Sequence, residues 1–192
     1  MLERDKDLAQ SITFESVKKS HIDIIFQWLA EPHMQEFWDN SQEHKDDIIH
    51  FVEGRKTASN YFNGIFSYWI GKYNEDPFCL ILTAKENNST DLPELWMKHL
   101  STTGNTYSLD FGIGNPKYIG KKLAGPTLAL FTQFIQKEID LNADTFFIDP
   151  ANDNPRAKHV YEQAGFQLVG TFTATQGFFQ DDESLLMVLK RP

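Results

Sequence analysis

The chain has 192 residues, with 18 Lys and Arg against 27 Asp and Glu, and its formal net charge is −9. This length predicts one domain that buries about 70% of the surface of the unfolded chain, so that no disulfide or metal is needed to hold it together. A composition that is 41% hydrophobic and 23% charged excludes disorder as the state of most of the chain. The single cysteine, Cys79, excludes a disulfide scaffold and is typical of a reducing, cytoplasmic setting.

Charge and hydropathy also indicate which kinds of partner the protein can bind. The acidic balance argues against nucleic acid, because phosphate backbones require basic faces, and it is compatible with a cationic small molecule. Residues 1–10 lack the apolar core of a targeting signal, and no window approaches 18 apolar residues, so no membrane association is expected. We expect an N-terminal extension at residues 1–10 and a single domain at residues 11–192.

Short strand and helix patterns alternate along the chain. The predicted strands are residues 12–17, 65–73, 78–84, 106–113, 145–148, 166–173 and 185–190. Ser20 followed by Asp23 resembles a helix start, and Ser41 is placed to cap a second helix that ends near Gly54. Residues 87–94 indicate a loop, and residues 95–100 fit either a strand or a helix.

The second half of the chain adds two more helices. An apolar stripe at helical spacing runs from Leu123 to Ile135. Another helix is expected to begin at Pro155, which a first helical turn tolerates, and to stop at Gly165. The hairpin at residues 65–84 is predicted to turn at residues 74–77. This order of elements predicts an α/β protein with a mixed sheet rather than a series of uniform βαβ units.

A turn rich in glycine and lysine connects the strand at residues 106–113 to the next helix. Successive backbone N–H groups at such a turn, together with the helix dipole, bind phosphate oxygens. Lys117, Lys121 and Lys122 add local positive charge, although a plain connection with solvated lysines fits the same residues. Residues 114–125 match neither a Walker A loop nor the dinucleotide-binding pattern, so hydrolysis of nucleotides is not expected.

Three stretches resemble the GCN5-related N-acetyltransferase (GNAT) superfamily. Residues 148–166 resemble its second half, where a loop with Asn leads to a helix with Ala, Tyr and a final Gly-Phe. Residues 109–116 resemble the element Ile-Asp-x-x-Ile-Gly-x-Pro that precedes the pyrophosphate loop of aminoglycoside 6′-N-acetyltransferases and of hydroxylysine acyltransferases of siderophore synthesis. Trp28-Leu29 and residues 36–38 resemble the N-terminal stretch Trp-Leu … Glu-Trp-Trp of those proteins. The resemblance extends over residues 11–190.

The resemblance implies a mostly antiparallel central sheet flanked by helices, and acetyl-CoA as the acyl donor. It implies direct N-acetyl transfer to a cationic small-molecule amine, in the first place an aminoglycoside 6′-amine, and hence a role in antibiotic resistance. A hydroxylysine-type acceptor and a non-catalytic protein that binds CoA or another ligand are the alternatives. A monomer or a homodimer is expected.

One position departs from the family pattern Gln/Arg-x-x-Gly-x-Gly/Ala. Aligned through Gly120 and Ala124, the chain has Ile119 at the first position and Lys122 at the central glycine. The loop amides are expected to bind pyrophosphate provided that Lys122 adopts a helical φ, while its side chain crowds the phosphates and weakens binding of the cofactor.

The resemblance also implies roles for individual residues. Asp110 matches the general base, and the structural alternative is a turn residue at the end of a strand. Tyr161 matches the general acid that protonates the leaving thiolate, and the structural alternative is a core tyrosine. The implied acceptor-binding residues are Glu36, Trp38, Asp110 and Asp149. The implied cofactor-binding residues are Phe111, Ile113, Lys117, Gly120, Lys121, Lys122, Leu123, Ala124, Gly125, Asn154, Arg156 and Tyr161.

Neither a metal nor a covalent acyl carrier is expected. The six histidines are scattered without the spacing of a metal site. Cys79 lies in a predicted apolar strand, where a thiol is buried and inert.

Overall fold

A computed structural model describes residues 10–62, 65–87, 92–174 and 180–191. The strands are β1 (Ile12–Ser16), β2 (Ser67–Tyr73), β3 (Asp76–Glu86), β4 (Asn105–Ile113), β5 (Ala143–Ile148), β6 (Gln167–Thr173) and β7 (Glu183–Lys190). The α-helices are α1 (Ile22–Leu29), α2 (Pro32–Gln35), α3 (Gln42–Val52), α4 (Glu94–His99), α5 (Ala124–Phe134) and α6 (Pro155–Gln163). Two 3₁₀ turns and a π-helical turn complete the elements, at Lys19–His21, Pro116–Tyr118 and Ile135–Ile139.

The seven strands form one sheet in the order β1-β2-β3-β4-β5-β7-β6. β1 is antiparallel to β2, and β7 is antiparallel to both β5 and β6. The neighbours β4 and β5 are parallel. The mixed α/β class and all seven strands predicted from the sequence are therefore confirmed, although more than half of the strand ends differ by one or two residues.

Local capping chemistry explains where two of the helices begin and end. Ser41 accepts a hydrogen bond from the His44 amide at the start of α3, and Gly54 follows the end of that helix with φ +80°. Asn154 caps α6 in the same way, directly before Pro155. The predicted cap at Ser20 is wrong, because residues 19–21 form a 3₁₀ turn and α1 begins after His21 with no side-chain cap.

The β2–β3 hairpin turns more tightly than predicted. Asn74 and Glu75 both have positive φ, +48° and +64°, as a two-residue turn that matches the twist of the strands requires. Asp76 and Pro77 therefore belong to β3 instead of the turn. Residues 95–100, which fit both a strand and a helix in sequence, belong almost entirely to α4, whose Trp96 is buried.

The chain divides into two compact units, and the boundary passes through β3, β4 and α5. The first unit contains the chain up to Leu82 together with Phe111–Thr127. Its core is built on aliphatic and aromatic side chains of α1, α3, β2 and β3, including Ile25, Leu29, Ile48, Tyr68, Ile70 and Leu80. Cys79 is fully buried, and burial raises the pKa of its thiol, as expected of an inert cysteine.

The second unit contains Thr83–Asp110 and the chain from Leu128. Trp96 of α4 packs edge-on against Phe147 of β5 and Phe172 of β6, with ring centroids 5.3 Å and 5.7 Å away. Leu186 and Val188 of β7 complete this core. β5 is buried along almost its whole length, and it lies inside the sheet between β4 and β7.

Some predictions fall on residues outside the described ranges. These are most of the N-terminal extension at residues 1–10 and part of the loop at residues 87–94. Within the described part of the chain, no helix is long and apolar enough to cross a membrane.

Candidate functional site

Parallel pairing of β4 with β5 brings two of the predicted carboxylates side by side. The register ends with Leu109 opposite Ile148, and the next residues are Asp110 and Asp149. Asp149 directly follows β5 as predicted, whereas Asp110 lies within β4, three residues before its end. A strand-end turn therefore does not explain why position 110 is an aspartate.

Glu86, the last residue of β3, adds a third carboxylate. The Ser108 hydroxyl donates a hydrogen bond to Glu86 Oε1, and Ser108 lies two residues before Asp110, on the same face of β4. Glu86 was not predicted as a site residue, since it lies two residues beyond the strand predicted at residues 78–84 and belongs to no recognisable motif.

Burial, and repulsion within this group of carboxylates, raise the pKa of both aspartates. Desolvation by the surrounding protein, with repulsion from Glu86, raises the pKa of Asp110 from 3.8 to about 6. The Asp110 side chain remains exposed to solvent, which moderates this rise without changing its direction. Desolvation, followed by repulsion from Asp110 and Glu86, also raises the pKa of Asp149. The cluster can therefore hold a proton near neutral pH and attract a cation.

Tyr161 of α6 lies beside this carboxylate cluster. Its side chain is 7% exposed, and its ring centroid is 6.4 Å from that of Phe166. Burial raises the pKa of Tyr161, and the charges of Asp110 and Asp149 raise it further. A protonated phenol in this position can donate a proton to a leaving group. The structure thus brings together Asp110, Asp149 and Tyr161, three of the predicted site residues.

The predicted cofactor-binding turn lies in the first unit. Residues after β4 form the 3₁₀ turn at Pro116–Tyr118 and then lead to α5. The amides of Lys122, Leu123, Ala124 and Gly125 make no hydrogen bond to any described residue, since Thr127 donates the first backbone bond of the helix. Unpaired amides at a helix N-terminus are a binding site for phosphate oxygens, so these residues fit the pyrophosphate of CoA.

Lys122 does not have the helical φ that was made a condition of pyrophosphate binding, since its φ is +60°, and Gly120 has φ +73°. The fit to pyrophosphate therefore rests on the unpaired amides of residues 122–125 in this left-handed conformation. Lys122 thus adopts the left-handed conformation that a glycine would reach without a steric penalty, which accounts for the glycine of the family pattern at this position. The loop keeps its conformation at a cost of about 1–2 kcal/mol in backbone strain.

Two other side chains that were predicted to bind the cofactor interact with residues of the protein itself. The Lys117 ammonium lies 3.0 Å from a carboxylate oxygen of Asp76 and 5.2 Å from the centre of the Tyr118 ring. Asn154 Oδ1 accepts a hydrogen bond from the Ala157 amide at 3.0 Å, which leaves its amide nitrogen to donate. Arg156, Lys121 and Lys122 are exposed.

The remaining predicted acceptor-binding residues belong to the first unit. Glu36 is exposed, and Trp38 is partly buried and packs against the core of that unit. A Cβ at Gly112 would lie only 3.0 Å from Trp38 Nε1, so the indole lies directly on the backbone of β4. Within the described ranges, no group of three His, Cys, Asp or Glu side chains is arranged to hold a metal ion.

Comparison with known proteins identifies the fold. A family model described as an acetyltransferase (GNAT) domain matches residues 18–174. An aminoglycoside N(6′)acetyltransferase from Legionella pneumophila is 24% identical, with a TM-score of 0.71 over 94% of this chain and 92% of that one. Aminoglycoside acetyltransferase AAC(6′)-Ib in complex with coenzyme A and kanamycin is 19% identical, with a TM-score of 0.70 over 94% and 95%.

A polyamine enzyme has the same fold. Spermidine N-acetyltransferase from Vibrio cholerae, in complex with CoA and spermine, is 13% identical, with a TM-score of 0.67 over 94% of this chain and 96% of that one. The GNAT fold inferred from the sequence is confirmed by these matches.

We predict that Lys122→Gly is less destabilising than Lys121→Gly by about 1–2 kcal/mol, because glycine relieves the positive φ at position 122 only. Both residues are exposed lysines of one loop, so glycine increases the entropy of the unfolded chain equally in both variants. Chemical denaturation of the two variants measures this difference. Equal free energies of unfolding would show that position 122 is not strained.

We predict that Asp110 titrates near pH 6 and that Glu86→Gln lowers its pKa, because the variant removes a repelling charge. The folded state holds this proton more tightly than the unfolded chain does. The stability that protonation of Asp110 contributes to the folded state is therefore fully present below about pH 4, and it is lost as the pH rises through about 6. Carboxyl ¹³C NMR of the wild type and of Glu86→Gln measures both midpoints, and an unchanged midpoint contradicts the coupling.

Proposed function

The chain belongs to the GNAT acetyltransferase family, and we propose that it acetylates a primary amine of a polycationic small molecule, with an aminoglycoside 6′-amine as the preferred acceptor. The family makes it an acetyl-CoA-dependent N-acetyltransferase. The observation that carries the choice of acceptor is the group of three carboxylates formed by Glu86, Asp110 and Asp149. A site with this much negative charge favours an acceptor that brings several ammonium groups.

Acetyl-CoA supplies an acetyl group activated as a thioester. The chain provides the groups that hold this donor and deprotonate the acceptor amine. The free amides from Lys122 to Gly125 bind the pyrophosphate. In this proposal the backbone of Phe111 and Ile113, at the end of β4, orients the donor, and Asn154 and Arg156 contact it from the start of α6.

Asp110 is the general base of the proposed mechanism. An ammonium group cannot attack a carbonyl carbon until it loses a proton, and a carboxylate whose pKa is raised to about 6 accepts that proton better than an ordinary aspartate. Asp149 and Glu86 hold further ammonium groups of the acceptor. Glu36 and Trp38 contribute to acceptor binding through charge and through the aromatic face.

Tyr161 is the general acid. The bond between the acetyl carbon and sulfur breaks as the amine nitrogen bonds to that carbon, and the phenol proton passes to the departing sulfur. Burial keeps the phenol protonated at neutral pH, since it raises a pKa that is already near 10. After the nitrogen has bonded to the acetyl carbon it loses a second proton, which neutralises the Tyr161 phenolate, and Asp110 releases its proton to solvent, so that the products are an amide and a free thiol.

Thiol release from acetyl-CoA tests the acceptor class. The purified protein is given kanamycin, spermidine, a hydroxylysine or no acceptor, at matched concentration and pH. We expect the highest kcat/KM with kanamycin, because it places several ammonium groups near the three carboxylates. A preference for spermidine or hydroxylysine would contradict the aminoglycoside proposal. CoA binding without turnover on any acceptor would favour the non-catalytic alternative.

Asp110→Asn should lower kcat by at least about 100-fold, because an amide cannot accept the proton of the amine. The KM for acetyl-CoA should change much less, since the carboxylate acts on the acceptor. Steady-state kinetics at saturating acceptor measures both constants, and Asp153→Asn, a neutralised exposed aspartate, is the matched control. Near wild-type turnover of Asp110→Asn would remove this residue from the proposed mechanism.

Tyr161→Phe should slow acetyl transfer at least about tenfold, which corresponds to about 1.4 kcal/mol in the barrier. Single-turnover measurements isolate this step from product release. Tyr107→Phe is the matched control, because Tyr107 donates its hydroxyl proton to Asp140, 3.0 Å away, and has no proposed role. Equal single-turnover rates of Tyr161→Phe and the wild type would exclude the phenol as the acid.

A further inference from the structure

We propose that His33 is a positioning residue that holds the end of β4 in the conformation that binds the acyl donor. This inference rests on the proposed function only in assigning the end of β4 and the following turn to acetyl-CoA. It does not depend on which amine is the acceptor. The mechanism above gives no role to His33, and the sequence analysis recorded it only as one of six scattered histidines.

One hydrogen bond carries the proposal. His33 Nε2 lies 2.8 Å from the backbone carbonyl oxygen of Ile113, the last residue of β4. A carbonyl oxygen only accepts, so Nε2 must carry the proton and donate it. The two residues are 80 positions apart in the chain. The contact therefore comes from the tertiary fold, and it links the short helix α2 directly to the strand that leads to the predicted donor loop.

The backbone next to Ile113 is shaped to receive the same segment of the chain. A Cβ on Gly112 would lie 2.7 Å from Met34 Cε, and a Cβ on Gly114 would lie 2.2 Å from the indole of Trp28. Any side chain at these two positions would collide with α1 or α2. Two glycines thus let α1 and α2 lie directly on the backbone on either side of the carbonyl that His33 binds.

The residue two positions after this strand end is held by β3. The Asn115 amide donates to the Phe78 carbonyl at 3.1 Å, and its side-chain amide donates to the Pro77 carbonyl at 3.2 Å. Pairing of β4 with β5, in contrast, ends at Leu109 and Ile148, four residues before the end of β4. His33 therefore supplies a hydrogen bond to a strand segment that has passed the end of its pairing with β5.

This restraint bears on donor binding. A flexible donor loses much conformational freedom when it binds, and a binding surface that is already fixed reduces this cost. Ile113 is separated from the free amides of the loop by the eight residues 114–121, among them the turn at Pro116–Tyr118. Loss of the His33 hydrogen bond lets this strand end move, so the donor must order it on binding.

The test measures acetyl-CoA affinity by isothermal titration calorimetry, and kcat at saturating donor with the best acceptor. We expect His33→Ala to raise the Kd of acetyl-CoA about tenfold and to change kcat less than about twofold. His33→Gln, whose side-chain amide can donate to the same carbonyl, should restore the Kd to within about threefold of the wild type.

Gln35→Ala is the matched control. Gln35 lies on the same short helix, and its amide nitrogen donates to the Ala30 carbonyl at 2.6 Å without contacting β4. It should leave both the Kd and kcat unchanged, whereas a general loosening of α2 would raise the Kd in this variant as well. If His33→Ala does not fold, Gly112→Ala replaces it in the test. This variant pushes the side chains of Met34 and Trp38 away from β4, so the proposal requires that it raise the Kd of acetyl-CoA.

Three results would overturn the proposal. They are an unchanged Kd in His33→Ala, a raised Kd that His33→Gln does not restore, and an equal rise in Gln35→Ala. Failure of the proposed acceptor chemistry gives a different result, because acetyl-CoA then binds to the wild type normally and no amine in the panel is acetylated.

Discussion

The parallel pairing of β4 with β5 is the constraint on which the candidate site depends. It ends with Leu109 opposite Ile148, so the two aspartates that follow must lie side by side. Two parallel strands present their carboxyl ends at one edge of a sheet, and residues in register there project to the same face. A shift of one residue would turn one of the aspartates to the opposite face and separate the charges.

Placing three carboxylates together is unfavourable in the free protein. Desolvation raises the pKa values of Asp110, Asp149 and Glu86, and repulsion raises those of the two aspartates further, while the Ser108 hydroxyl opposes the rise at Glu86. In the proposed function, an acceptor with several ammonium groups removes this repulsion when it binds, and so offsets the free energy that the folded chain loses by concentrating negative charge. The same repulsion gives Asp110 a basicity suited to accepting a proton near neutral pH.

The loop proposed to bind the donor depends on backbone geometry rather than on side-chain charge. Lys122 adopts a positive φ without being a glycine, and its strain is retained because the turn and the start of α5 fix the residues around it. Gly112 and Gly114 allow Met34 and Trp28 to contact the main chain of β4 directly. Both features act on the amides and carbonyls of residues 112–125, the groups proposed to bind acetyl-CoA.

The sequence by itself determined the seven strands, the start and end of α3 and α6 to within two residues, and the family, whereas the roles of Asp110 and Tyr161 remain predictions. Each of these follows from local chemistry: alternation of apolar residues, a capping Ser or Asn, a Pro in a first turn, or a motif of adjacent residues. Only the tertiary structure decided that Glu86 joins the aspartates, that Lys122 has a positive φ and that His33 binds the end of β4. The carboxylate cluster and the His33 contact join residues that are far apart in the chain, and the φ of Lys122 depends on the packing around its loop, so no local pattern encodes them.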